Sequence, residues 1–126
     1  TIKMKLKQIK KILELETIID GDDNLEVNTG CGSDLMSDVL AFCQSKTLLL
    51  TGLTNPQAIR TAEMVEIKVI IFVRGKRPHQ AAVSLAEEKN IALYVSSKSL
   101  FESCGILYHH GLKPEIMRKI DPDGEN

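Results

Sequence analysis

Strand-like segments begin at Leu25, Thr47, Val69 and Ile91, each 22 positions after the one before. A strand of about five residues, a helix of about three turns and two short loops fill such an interval, so the beat is that of a βα repeat. Strands that alternate with helices build a parallel sheet covered on its faces. The beat also fixes where a ligand would sit, because ligands of open parallel sheets collect beyond the carboxyl ends of the strands. Those places are Thr29 to Asp34, Thr51 to Pro56, Arg74 to His79 and Ser96 to Ser99.

The runs LLL (48–50), VIIFV (69–73) and IALYV (91–95) are near-continuously apolar, as strands buried on both faces are. LEVNT (25–29) alternates, which suits an edge or half-covered strand. ETIID (16–20) reads as one further short strand, turned by Asp20-Gly21. Between the strands, apolar residues recur at helical spacing: Leu35, Met36, Val39, Leu40 and Cys43; Ile59, Ala62 and Val65; Ala81, Ala82, Leu85 and Ala86; Leu100, Phe101, Cys104, Leu107 and Tyr108. Ser33 or Asp34, Asn55 with Pro56, and Ser99 mark helix starts, and Asn90 and Gly111 are left-handed caps. The pattern predicts an α/β sandwich with a mainly parallel sheet of four to five strands.

At the amino terminus, Leu6, Ile9, Ile12 and Leu13 stand among five lysines, a pattern shared by a first helix packed on the domain and by a basic membrane anchor. The packed helix is the reading adopted. A single domain is expected over 1–120, with DPDGEN (121–126) as a flexible acidic tail. A net charge of -1, a pI near 6.3 and 4% aromatic residues give no field or stacking platform for nucleic acid or anionic lipid. Neither nucleic acid nor membrane is an expected partner. Cys31, Cys43 and Cys104 have no CxxC spacing, and neither a signal peptide nor a run of the ~18 apolar residues a spanning helix needs is seen. A reducing, cytoplasmic setting is the expectation.

The first loop carries Gly30, Cys31, Gly32, Ser33 and Asp34, where backbone N–H groups can converge on an anion. It lacks the GxxxxGK[ST] of a phosphate loop, and Gly30 and Gly32 also suit a tight turn. Cys31 precedes a helix, a position that activates thiols, and His79 is the base that a thiol enzyme would recruit from the third loop. The Cys-x5-Arg spacing of cysteine phosphatases is absent, because Ser37 stands where the arginine would be. Thr51, Gly52, Thr54 and Asn55 in the second loop offer hydrogen bonds to a ligand or to a helix start. Arg74, Lys76, Arg77 and His79 make the third loop the dense cationic segment of the carboxyl half. Asp34 and Asp38, four apart, would share a helical face, and His109 and His110 suit a helix carboxyl end. These thirteen candidates from Gly30 to His79 form a ligand-binding set; no catalytic residue, metal or resident cofactor is assigned.

In this order and spacing, GCGSDLMSDVLAF, TGLTNPQAIRTAEM, IKVIIFVRGKRP and SLFESCGILYHHGL resemble DRTGG domains of bacteria and archaea, over roughly Lys5 to Leu112. The resemblance implies a three-layer α/β/α sandwich related to the non-catalytic amino-terminal domain of HPr kinase/phosphorylase. A serine-kinase label would then reflect family association alone. Relatives are fused to CBS domains or phosphotransacetylases, or stand alone near iron-hydrogenase genes. The literal DRTGG string is absent from DDNLEVNTGCG, which keeps only Thr29-Gly30. The resemblance further implies a regulatory or scaffold module that forms a homodimer, and the coincidence of Gly30 to Asp34, Thr51 to Asn55 and Arg74 to His79 at one edge of the expected sheet adds a small anionic ligand such as an adenine nucleotide. The rivals are a thiol enzyme built on Cys31 and an accessory factor in hydrogenase or phosphotransfer regulation.

Overall fold

A computed structural model describes residues 3–115; the tail expected at 121–126 lies outside the described residues. β1 (Met4–Lys5) leads into α1 (Leu6–Leu13), followed by β2 (Glu16–Ile19), β3 (Glu26–Val27) and β4 (Thr29–Gly32). Then come α2 (Met36–Phe42), β5 (Thr47–Thr51), α3 (Pro56–Met64), β6 (Val69–Phe72), α4 (Gln80–Lys89), β7 (Ala92–Val95), α5 (Leu100–His109) and β8 (Lys113–Pro114). The main sheet has six strands in the order β2-β7-β6-β5-β4-β8. All its neighbours run parallel except β2, which pairs antiparallel with β7 through an irregular step between Thr17 and Ile19.

The apolar runs become the centre of this sheet because both of their faces are covered. Leu48, Leu50, Val69, Ile71 and Tyr94 point into one buried cluster with Leu6, Ile9 and Leu13 of α1 and Leu107 of α5. Leu49, Ile70, Phe72 and Leu93 point into the other, with Met36 and Val39 of α2, Ala58, Ile59 and Ala62 of α3, and Ala82 and Ala86 of α4. The result is α1 and α5 on one face and α2, α3 and α4 on the other, a three-layer α/β/α sandwich. Lys7, Lys10 and Lys11 belong to a packed helix, where Lys10 Nζ meets Asp23 Oδ1 at 2.8 Å and Asp20 Oδ1 at 3.0 Å. Among the described residues no helix is long and apolar enough to cross a membrane.

Several expected helix signals hold. Asn55 accepts from Gln57 N with Pro56 at the first helical position, Ser99 accepts from Glu102 N, and Asn90 (φ 58°) ends α4 in the left-handed conformation.

Four expectations are corrected. The sheet has six strands, not four to five, because Lys113–Pro114 adds a parallel edge beside Thr29 and Gly30; a two-residue strand with a proline carries no periodic signal, and an edge tolerates the missing N–H. LEVNT is not the first strand of this sheet. Glu26–Val27 pairs instead with Met4–Lys5 in a separate ribbon, and the parallel strands begin at Thr29–Gly32, so the beat slips by four residues at its first repeat. The glycines there serve close approach, not a turn: a Cβ on Gly30 would lie 3.0 Å from Leu112 Cδ2, and one on Gly32 would lie 2.7 Å from Cys104 Sγ. Finally, Leu35, Leu40, Phe101 and Tyr108 fit a helical stripe in sequence yet remain exposed, Phe101 at 90%.

Candidate functional site

The carboxyl ends of β4, β5, β6 and β7 carry four connections that are hydrogen-bonded to one another in series. Asp34 joins the first to the second: its Oδ1 accepts from Gly52 N at 2.6 Å and from Thr51 Oγ1 at 3.0 Å. The second meets the third where Val73 N donates to Thr51 O and His79 N to Thr54 O, at 3.1 and 3.0 Å. The third meets the fourth through Arg74 N to Lys98 O and Gly75 N to Ser96 O, both 2.8 Å. These last two bonds hold Arg74 at φ 60° and Gly75 at φ 66°, a left-handed pair in which the arginine is conformationally strained.

This ledge gathers most of the expected residues but gives several of them structural work. Asp34 lies before α2, not on it, so it shares no helical face with Asp38. Leu35 occupies the cap position, and Ser33 Oγ accepts from Leu35 N at 3.0 Å. Asn55 is spent on capping α3. Arg77 pairs with Glu16 of β2, and Lys98 with Glu14 at 3.5 Å. Arg74 and Lys76 are exposed and make no ion pair among the described residues. They stand in the loop before His79, which opens α4 without a side-chain cap.

Gly30, Cys31, Gly32 and Ser33 line a separate place. β8 covers β4 at Thr29 and Gly30, and past that point a cavity of about 390 Å³ straddles the open edge. Asp38 and Phe42 of α2 line one side, and Cys104 and Tyr108 of α5 the other. A wider cavity of about 550 Å³ lies at the amino ends of β6 and β7, beside Lys68 and Asn90, and holds none of the expected residues.

Cys31 does not sit in a loop ahead of a helix but inside β4. Its sulfur, that of Cys43 and a carboxylate oxygen of Glu115 lie within 4.8 Å of one another. Cys43 Sγ donates to Glu115 Oε1 at 2.9 Å. The neighbouring Cys31 sulfur, then burial, then Glu115 push the Cys43 thiol above its ordinary range. Burial, and after it Cys31, raise Cys104. Two sulfurs and a carboxylate in this arrangement are donors suited to a metal ion. Sequence spacing does not expose this cluster, because its members come from β4, the end of α2 and the segment after β8. Cys31 and Cys43, committed to no motif, are its trace in the sequence.

No family model matches the sequence, and no curated protein does. The fold is similar to the crystal structure of the CBS and DRTGG domains of the regulatory region of a Clostridium perfringens pyrophosphatase, complexed with its activator diadenosine tetraphosphate. The TM-score is 0.66 at 13% sequence identity, covering 82% of this chain and 45% of that one. The chain thus spans less than half of that structure. The likeness bears out the DRTGG-like reading at the level of the fold.

Proposed function

We propose that the chain is a non-catalytic regulatory domain that takes a small anionic ligand of the adenine-nucleotide class on the ledge at the carboxyl ends of its strands. The observation that carries this reading is the fold shared over 82% of the chain with a regulatory region crystallised with a nucleotide activator. Arg74 and Lys76 supply cationic donors, and the amino terminus of α4 beside them offers uncapped N–H groups to a phosphate. The cross-linked loops support a preformed site, since ordering them on binding would cost affinity. The thiol-enzyme alternative is weaker: Cys31 neighbours Cys43 and Glu115, whereas His79 opens α4, and α3 packs between α2 and α4. A homodimer belongs to the same reading, and Phe101, 90% exposed on α5, is the apolar side chain that a second copy would cover.

Thermal-shift measurements with ADP, ATP, diadenosine tetraphosphate and inorganic phosphate test the ligand. At ~100 times its dissociation constant a ligand adds about 2.7 kcal/mol. The Arg74→Ala, Lys76→Ala double variant should lose that shift and keep its ligand-free melting temperature. No shift with any of the four at millimolar concentration refutes the ligand. Sedimentation velocity tests the dimer; a monomer at all accessible concentrations refutes it.

A further inference from the structure

We propose that Cys31, Cys43 and Glu115 form a binding site for a borderline-soft divalent metal ion of the zinc class, at the open edge of β4. The three donor atoms lie within 4.8 Å of one another. Around a tetrahedral ion with metal–sulfur bonds of ~2.3 Å and metal–oxygen bonds of ~2.0–2.2 Å, donors stand about 3.5–3.8 Å apart. Rotamer adjustments of under about 1 Å bring the three to that spacing. Cys43 Sγ and Glu115 Oε1 already touch at 2.9 Å, so the ion would replace a thiol proton that now bridges them.

The donor chemistry selects the ion. Two sulfurs disfavour magnesium and calcium, which take oxygen ligands, and favour zinc-like ions. Binding converts the Cys31 and Cys43 thiols to thiolates, the two protons pass to solvent, and no electron is transferred. The cavity of about 390 Å³ provides an access path, since Cys31 and Glu115 both line it, and leaves a fourth position for water. Cys104 lines the same cavity but is not one of the three clustered donors.

The placement gives the ion a structural consequence. Cys31 belongs to β4, Cys43 ends α2, and Glu115 directly follows β8, a strand of only two residues. A bound ion would staple the weakest edge of the sheet to its neighbour and to the opposite layer. The site is distinct from the Arg74 and Lys76 ledge, and its test does not depend on a ligand binding there.

The test uses the full chain, reduced with a phosphine and freed of metal, titrated with Zn²⁺ and separately with Co²⁺. One equivalent of Zn²⁺ should bind and raise the melting temperature. Co²⁺ should give thiolate-to-metal charge-transfer absorption and the intense visible bands of a tetrahedral centre. Cys31→Ser and Cys43→Ser should each weaken binding about a hundredfold and Glu115→Gln about tenfold, while Cys104→Ser leaves affinity unchanged. A readout on the unaltered chain guards against variants that fail to fold: Zn²⁺ should protect Cys31 and Cys43 from alkylation, mapped by mass spectrometry, and leave Cys104 unprotected. Absence of stoichiometric binding overturns the proposal. So does Co²⁺ binding without the thiolate band, which would place the ion elsewhere, or protection of Cys104 in place of Cys31.

Discussion

Replacing Tyr94 with phenylalanine removes one oxygen from the knot that ties the amino-terminal helix to the sheet. The Tyr94 hydroxyl donates to Asp20 Oδ1 at 2.7 Å and accepts from Gly21 N at 2.8 Å. Asp20 also takes Lys10 Nζ, and Tyr94 itself is fully buried. A hydrogen bond to a charged acceptor contributes ~1.5–3 kcal/mol. Gly21 N keeps Asp20 Oδ1 as a partner at 3.1 Å, and the exposed carboxylate is rehydrated, so the lower part of that range applies: about 2 kcal/mol near neutral pH. For a chain of this size that is a fall of roughly 6–8 °C in melting temperature. Titration of the same hydroxyl supplies a second, sharper signature. Burial, and then the Asp20 carboxylate, push Tyr94 up to about 12 from its ordinary value of 10.0. The folded chain therefore holds this proton where the unfolded chain has released it. The contribution is whole below about pH 10 and is lost as pH climbs through about 12. Two pH units correspond to about 2.7 kcal/mol, or about 2 after allowance for the water-facing side of the knot. Phenylalanine cannot titrate, so the stability gap between the two proteins should close from about 2 kcal/mol near pH 8 toward zero near pH 12. Lys10, whose ammonium is held protonated by Asp23 and then Asp20, keeps both of those partners in the two proteins, so the larger part of its own contribution cancels in the difference. Urea denaturation of each, followed by far-ultraviolet circular dichroism at about pH 8, 10 and 11.5, measures the gap. A gap that stays constant across that range would refute the assignment of the stabilisation to this hydroxyl.

Asp34→Ala removes the acceptor shared by Gly52 N and Thr51 Oγ1; we expect a loss of about 1–2 kcal/mol and faster amide exchange at Gly52, with Asp34→Asn, which keeps an acceptor oxygen, closer to the original. Gly32→Ala forces a methyl to 2.7 Å from Cys104 Sγ and should destabilise by about 1–3 kcal/mol, relieved in part by Cys104→Ala; a double-mutant cycle with no coupling would show that α5 does not lean on β4 there.

How legible each element is in the sequence depends on how far its cause lies along the chain. β5, β6 and β7 are legible because burial on both faces demands consecutive apolar residues along their centres, a local signal. The caps at Asn55 and Ser99 are legible because cap and capped N–H lie two and three residues apart. β4 is not, because Thr-Gly-Cys-Gly is dictated by Leu112 and Cys104 pressing on it from a distant part of the chain. Two glycines between a polar residue and a helix read locally as a turn, and only the packed structure shows them as clearance. Phe101 and Tyr108 mislead for the opposite reason. Their spacing is helical, and nothing local says which side of the helix meets the sheet.

The same edge position explains why the ligand ledge is half legible and the sulfur cluster is not. The ledge is built from the connections that follow the strand ends, and the strand beat counts those ends, so locating β5, β6 and β7 locates Thr51, Arg74 and Ser96 as well. Its internal partners, Asp34 on Gly52 and Glu16 on Arg77, then divide the cationic and polar residues into those that hold the loops and those left over. Arg74 and Lys76 are left over, and that remainder, not the total charge of the loop, is what an anion would meet. The open edge has no such counting rule. It exists because β8 stops after two residues, which leaves Cys31 facing a cavity in place of another strand. The segment that ends β8 brings in Glu115, and α2 ends at Cys43, so the termination of two elements beside β4 creates the cluster. Signals for where elements stop are weaker in sequence than signals for where they run. A donor set assembled from stops is therefore visible only once the chain is folded.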